Sequence, residues 1–339
     1  MRKFLIPAAM VAAGSLLAAM PAAAQRRANP ARTPAQQALW SRVRPPAGGT
    51  INAIAVSGTN LFVGTQEAGV FLSSDNGTSW TQVNSGLTNT GIRALAFSAT
   101  HLFAGTYGGV FRSADNGSSW TQVNSTYTGV DALVASGTNL FAGTDGAGVY
   151  RATNNGANWT KSDSGITNSF IVALAASGSS VLAGTDGGGV FLSQNDGARW
   201  SAANSGLGDL YIRTILVTGT NILVGTYQGI FLSSNSGASW SPSSTGLPHL
   251  QARPGLTYLS VRALVTTGSA LFAGTDGGGV FLSTDNGSSW TAVSMGLPSL
   301  YGTIGVPKLV AGGTHLFAAS SDGVWRAPIA GLTSMAARR

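Results

Sequence analysis

The fold predicted for this 339-residue sequence is all-β, a seven-bladed β-propeller of four-stranded antiparallel blades. Three observations predict it. An eight-residue turn returns about once per 40 residues along most of the chain. Four short strand-like segments fill each interval between turns. A segment near the start copies the strand that the last interval lacks.

The turn first reads Ser73-Ser74-Asp75-Asn76-Gly77-Thr78-Ser79-Trp80, and Ser113 to Trp120 and Ser283 to Trp290 repeat it with Asp115 and Asp285. Ala152 to Trp159, Ser193 to Trp200 and Ser233 to Trp240 carry Asn154, Asn195 and Asn235 at the acidic position. Each octet joins an apolar pair such as Phe71-Leu72 to an alternating strand such as Trp80-Thr81-Gln82-Val83, which is the layout of a β-hairpin. The Asp or Asn oxygen can accept amides just downstream, and Gly77 can take a positive φ. Trp80, Trp120, Trp159, Trp200, Trp240 and Trp290 are expected to cover the turn, contributing roughly 2–3 kcal/mol each if buried. Asn keeps the acceptor but loses the charge, so all six copies are expected to keep the turn while none is expected to bind metal.

In the first unit the strands read Ile51 to Val56, Asn60 to Thr65, Gly69 to Ser73 and Trp80 to Val83. The second strand recurs at Leu102 to Thr106, Leu140 to Thr144, Leu182 to Thr185, Leu223 to Thr226, Leu271 to Thr275 and Leu316 to Ser320, which makes seven units. The last has a third strand at Val324-Trp325-Arg326 but no octet after it. Leu39-Trp40-Ser41-Arg42-Val43 resembles Ser79-Trp80-Thr81-Gln82-Val83 and belongs to no preceding unit. It is expected to complete the last blade, closing the ring and leaving no open edge.

The propeller is thereby expected over 39–327. Residues 1–24 have Arg2 and Lys3, an apolar run and an Ala22-Ala23-Ala24 end, the layout of a secretory signal peptide. Residues 25–38 read as a flexible leader and 328–339 as a weakly patterned tail. A secreted or periplasmic protein without stable membrane insertion follows, expected as a monomer. With no cysteine in the chain there is neither disulfide nor thiolate site. The formal charge of +7 belongs to the ends, since 45–327 holds ten basic and twelve acidic residues. Nucleic acid is therefore not an expected partner.

The Ser-x-Asp-x-Gly-x-x-Trp pattern resembles the Asp-box of the BNR-type β-propellers. That group includes sialidases, xyloglucan hydrolases, sortilin-like receptors and photosystem II assembly factors. The resemblance covers 39–327 and implies the fold; because the group mixes enzymes with binding proteins, it does not by itself imply an activity.

Strand order puts the octets on one face and the loops that vary from blade to blade on the other, here called the top. The residue after the first apolar position of each innermost strand is Asn52, Arg93, Asp131, Val172, Arg213, Arg262 and Pro307 or Lys308, a largely charged ring around the channel mouth. Glu67, Tyr107, Asp145, Asp186, Tyr227 and Asp276 follow the second strands, and Tyr127, Phe170, Asp209, Tyr211 and Tyr301 lie between blades. A longer connection adds His249, Arg253 and Tyr258. Arg213, Arg262, Lys308, Tyr211, Tyr258 and Tyr301 are expected on one side, a patch suited to an anionic or sugar-bearing ligand or an acidic peptide, with Arg93 and Asp131 further round. Solvated strand ends and Asp-Gly turns are the ordinary alternative for each residue.

Thr185-Asp186-Gly187-Gly188-Gly189 and Thr275 to Gly279 have no helix after them, so they read as tight connections rather than phosphate loops. His101, His249 and His315 have no zinc-ligand spacing. Glycoside hydrolysis needs two facing carboxylates, or a tyrosine, a glutamate and an acid. Glu67 is the chain's one glutamate. A sialidase-like reading would use Arg93, Arg213 and Arg262 with Tyr258 or Tyr301, yet Arg93 belongs to blade two and the Phe/Tyr-Arg-Ile-Pro motif is absent. The expectation is an exported, cofactor-free, non-catalytic binding or scaffold propeller for a protein ligand. The assembly-factor resemblance implies protein binding through an arginine patch. A glycan-binding or glycoside hydrolase propeller is the alternative.

Overall fold

A computed structural model describes residues 39–43, 49–98, 100–127, 129–248, 259–298, 304–320 and 323–337. Tyr258, Tyr301, His249 and Arg253, and the expected signal peptide and leader at 1–24 and 25–38, lie outside the described residues.

Seven antiparallel sheets form the ring. Blade one is Ile51–Ser57, Asn60–Thr65, Val70–Ser73 and Thr81–Gln82, hydrogen-bonded in chain order from the axis outward. Blades two to six repeat that order with inner strands Ile92–Phe97, Val130–Ser136, Ile171–Ser177, Ile212–Thr218 and Val261–Thr267. Blade seven is composite: Lys308–Gly312, His315–Ser320 and Gly323–Pro328 take Ser41–Val43 as their outer strand. Its register pairs Ser41 with Arg326, Arg42 with Trp325 and Val43 with Val324, the closure the sequence predicts. Each inner strand touches the inner strands on either side, so the ring has no gap.

The core lies between blades. Seven apolar clusters are each shared by two neighbours; Phe62, Val70 and Leu87 of blade one, for example, meet Ile92, Leu102 and Trp120 of blade two. Second strands are covered on both faces, which explains their continuous apolar runs.

The repeated tryptophan does more than cover a turn. Trp120 Nε1 donates to the Val83 carbonyl at 2.8 Å, in the outer strand region of the preceding blade. Trp200, Trp240, Trp290 and Trp40 reach Ser162, Ala203, Ser243 and Val293 in the same way at 2.7–2.8 Å. The amides of Trp120, Trp200 and Trp240 donate to Ser85, Ser164 and Ser205, each followed by glycine. A Cβ on Gly86, Gly165, Gly206 or Gly246 would run into the carbonyl oxygen of the next blade's tryptophan. At five of the seven joins the tryptophan thus latches successive blades together, while Nε1 of Trp80 and of Trp159 has no partner among the described residues.

The acidic octets work as expected. Asp75 Oδ1 accepts from Ser73 Oγ at 2.7 Å and from the Ser79 amide at 2.9 Å, and Oδ2 accepts from Ser79 Oγ at 2.6 Å. Asn76 as well as Gly77 is left-handed, at φ 56° and 89°. Asn195 and Asn235 keep the same acceptor geometry. Asn154 does not: Ala152 stands where the other copies have a serine hydroxyl, Asn154 itself turns to φ 50°, and the outer strand extends to Asn158–Lys161. The expectation of one turn geometry in all six copies is corrected there.

Hydrogen bonds from Ser79 and Ser119 hold Asp75 and Asp115 at a pKa of about 2, against an ordinary 3.8. A folded-state pKa below the unfolded one stabilises the fold above pH 3.8, and that contribution is lost as pH falls towards 2. Thermal melts from pH 5 to pH 2 should therefore show an acid limb that flattens in the triple variant Asp75→Asn/Asp115→Asn/Asp285→Asn. An unchanged limb would assign acid unfolding to other carboxylates.

Blades two and three meet differently. Val123 sits in a bulge, so its carbonyl does not serve Trp159; Tyr127 stacks on Tyr150 with centroids 3.9 Å apart and meets Trp159 edge-on at 5.9 Å. The Tyr127 hydroxyl is buried with no hydrogen-bond partner among the described residues. Tyr127→Phe should thus leave stability unchanged or raise it by about 1 kcal/mol in urea unfolding, whereas Tyr127→Ala should cost about 3–5 kcal/mol. A clear loss in the Phe variant would mean that the hydroxyl is bonded after all.

The expected tail from 328 is partly structured. Ile329–Ala336 is a helix with Leu332 fully buried beside Leu39 and Trp40. One helical stripe of Ile329, Leu332 and Ala336, with no side-chain cap at Pro328, is too short a signal to read from sequence. No helix among the described residues is long and apolar enough to cross a membrane.

Candidate functional site at the channel mouth

Seven inner strands begin on the top face, and the bulge there decides what faces the axis. In blades one to six the register shifts at the residue after the first apolar position, leaving Asn52, Arg93, Asp131, Val172, Arg213 and Arg262 as the extra residue. An extra residue re-aims its side chain. The loops behind them are fixed by Thr65, Thr106, Thr144, Thr185, Thr226 and Thr275, all fully buried; Thr65 Oγ1, for example, donates to the Gly69 carbonyl and accepts from the Ala68 amide, each at 3.0 Å.

One cavity of about 370 Å³ opens at the axis, and every member of the sequence-derived ring lines it. Arg93, placed by sequence apart from the patch of blades five to seven, shares this cavity with Arg213, Arg262 and Lys308. A second space of about 200 Å³ is lined by the same charged residues together with small and aliphatic ones further along the inner strands, such as Ala94, Ala132, Leu95 and Leu133.

The choice between Pro307 and Lys308 is settled by register. Ala53, Ala94, Ala132, Ala173, Thr214 and Ala263 each pair with the glycine of their second strand, and Lys308 pairs with Ala319 at that same position. Pro307 therefore occupies the ring position, and Lys308 stands one residue deeper, where the other blades have alanine or threonine.

Four cations and one carboxylate line the mouth. Arg93 Nε donates to Asp131, and its guanidinium lies 4.6 Å from the Tyr107 ring centroid. Burial raises the Asp131 pKa, an effect that Arg93 partly offsets. The other three cations are poorly compensated. Arg213 is 4.0 Å from Asp186 and stands over Tyr227 at 5.1 Å. Arg262 Nε lies 3.3 Å from Asp276 but is out of line for a hydrogen bond. Lys308 has neither a hydrogen bond nor an ion pair among the described residues; burial first, then Arg213 and Arg262, lower its pKa.

Other top-face residues divide by exposure. Tyr211, Tyr107 and Phe170 are 50%, 47% and 50% exposed, and with Leu210 they are the large exposed apolar residues among those described. Tyr211 sits on the rim, edge-on to Tyr227 at 5.9 Å, rather than in the mouth. Tyr127 and Asp209 are buried and structural: Asp209 accepts from the Tyr211 and Gln228 amides at 3.1 and 3.0 Å. Tyr127 aligns in sequence with Leu87, a signal that it belongs to the core. Thr50 and Gln66 also line the mouth and were missed, being polar loop residues without a pattern. Among the described residues no cluster of three or more His, Asp or Glu side chains is placed to hold a metal ion.

The molecule is therefore a seven-bladed β-propeller with a cationic channel mouth. Its residues 34–170 match the family model of the DUF6242 beta propeller domain. None of the curated proteins matches the chain. Among solved structures it is similar to the extracellular domain of BT4673 from B. thetaiotaomicron, at 17% identity and a TM-score of 0.70, covering 86% of this chain and 40% of that one. It is also similar to the GH74 xyloglucanase of Xanthomonas campestris, at 15% identity and TM-score 0.68, covering 86% and 53%. YCF48 bound to D1 peptide matches at 17% identity and TM-score 0.65, covering 86% and 95%. The chain thus spans about half or less of the first two. At these identities the likeness concerns the fold.

Proposed function

We propose that this is an exported, non-catalytic binding propeller that captures an acidic segment of a partner protein on its top face, seating a carboxylate-bearing group in the channel mouth. The observation that carries the reading is the convergence of Arg213, Arg262 and Lys308 in one cavity where Asp131, the one carboxylate among the described lining residues, is already held by Arg93. Asp186 and Asp276 stand on the rim against Arg213 and Arg262, but Lys308 adds a third cation with no carboxylate of its own among the described residues, and such an excess of like charge favours an anionic occupant. Extracellular domains and a peptide-bound propeller among the structural neighbours support the same reading. Among the described residues no second carboxylate lines the cavity beside Asp131, as glycoside hydrolysis would need. Glycan binding keeps one favourable observation, the exposed rings of Tyr107, Phe170 and Tyr211, on which sugars could stack.

The test is capture from envelope extract and binding to acidic peptides, beside a glycan array, with wild type and Arg213→Ala/Arg262→Ala. Peptide binding that weakens about 100-fold or more in the variant, and falls with salt, is the expected result. A partner indifferent to the variant would sink this choice of site, and glycan binding lost in the variant would move the protein to the lectin class.

A further inference from the structure

We infer that the mouth takes its anionic group together with a proton, which Lys308 gains as the group binds, so that capture strengthens as pH falls and release follows a rise in pH. This rests on the reading that the mouth receives an anion, and adds the residue that sets its pH response.

The argument begins with the register. Lys308 occupies a position filled elsewhere by Ala53, Ala94, Ala132, Ala173, Thr214 and Ala263, so one blade alone puts a long cationic side chain at this depth. The charges that face it come from four of the other six blades. Blade five contributes Arg213, blade six Arg262 and blade two Arg93, and each disfavours its proton. Blade three contributes Asp131, which favours the proton but is bound to Arg93. Blades one and four present the neutral Asn52 and Val172, and blade seven itself Pro307. On the rim, Asp186 and Asp276 stand against Arg213 and Arg262, while Asp145 acts on Asp131.

An arginine keeps its proton at every accessible pH, so among these cations Lys308 is the one able to give its proton up. Without an anion, the ammonium is opposed by burial and by three guanidinium groups. An anion seated between Arg213, Arg262 and Lys308 reverses that balance, because it attracts the protonated form. Linkage then requires the affinity to fall about tenfold per pH unit between the free and the bound pKa of Lys308. The site needs no moving part for this behaviour.

Sulfate is a suitable probe, since its own charge is constant over the relevant range. The chain has three lysines, Lys3, Lys161 and Lys308, so their side-chain NMR signals are separable, and Lys308→Arg assigns the third. Lys161, exposed and paired with Asp163 at 3.0 Å, is the internal reference. The expected result on the full chain is a Lys308 ammonium that titrates below Lys161 and shifts upward with sulfate. Sulfate affinity should fall with pH in wild type, stay flat in Lys308→Arg and be weak throughout in Lys308→Met. If sulfate binds, and Arg213→Ala/Arg262→Ala abolishes it, yet Lys308 titrates with Lys161 or ignores sulfate, the proton-coupled mechanism is overturned while the anion site stands. If sulfate fails to bind at any pH and acidic peptides ignore the arginine variant, both readings fall.

Discussion

Trp40→Ala should cost about 3–5 kcal/mol of unfolding free energy, within the range for deleting a buried aromatic residue. Trp40 is 2% exposed, donates to the Val293 carbonyl at 2.7 Å and packs with Phe272, Leu316 and Leu332 where blades six and seven meet. It also anchors Ser41–Val43, a strand of three residues that covers the edge of Gly323–Pro328. So short a strand has little hold of its own, and the loss of Trp40 should free that edge. Urea unfolding and amide exchange measure the two consequences: reduced global stability, and faster exchange at Val324 and Arg326. Trp40→Phe should keep most of the buried area and cost about 1–3 kcal/mol for the carbonyl left unpaired. A Trp40→Ala protein within 1 kcal/mol of wild type would show that the ring is held shut elsewhere.

Gly246→Ala is expected to have the second large effect on stability. Its φ is +88°, a conformation that costs an L-residue about 1–2 kcal/mol. The new Cβ would also run into the Trp290 carbonyl oxygen, a backbone atom of the next blade's latch. Neighbouring backbone cannot swing aside as the end of a lysine can, so the total should reach about 3 kcal/mol or more. Gly219→Ala is the control: φ is +61° and a Cβ there meets open space, so its cost should stay near 1 kcal/mol. Equal costs at the two sites, read as midpoints in urea, would show that close approach at the latch contributes nothing.

The ring and its closure were legible because they are written in repeats, and six octets with one unmatched tryptophan strand permit little else. The mouth was legible for the same reason, since a position counted from the first apolar residue of each blade lands on the axis every time. What escaped were features that depend on neighbours distant in sequence. Trp120 looks like a lid on its own turn until Val83, 37 residues earlier, is found to accept its proton. The depth of Lys308 is invisible without the pairing to Ala319, because Val306-Pro307-Lys308 can be aligned in two ways. Tyr127 shares the register of core Leu87, but its place against Tyr150 goes with a bulge at Val123 that has no sequence signature. Asn154 departs for a local reason: the turn also depends on the serine two residues before the Asp or Asn, whose hydroxyl accepts from the glycine amide, and Ala152 stands in its place.

The chain enters the ring at Leu39, whose amide donates to Met295, and leaves through a helix whose first amide, Ile329, donates to Thr314 in the inner hairpin turn of blade seven. Both belong to the octet side. A tether joined at Leu39 or at Ala336, whether to a bead, a reporter or a surface, therefore holds the ring by its octet side with the charged opening turned outward. Two opposite tethering schemes would present one and the same orientation to whatever approaches from solution.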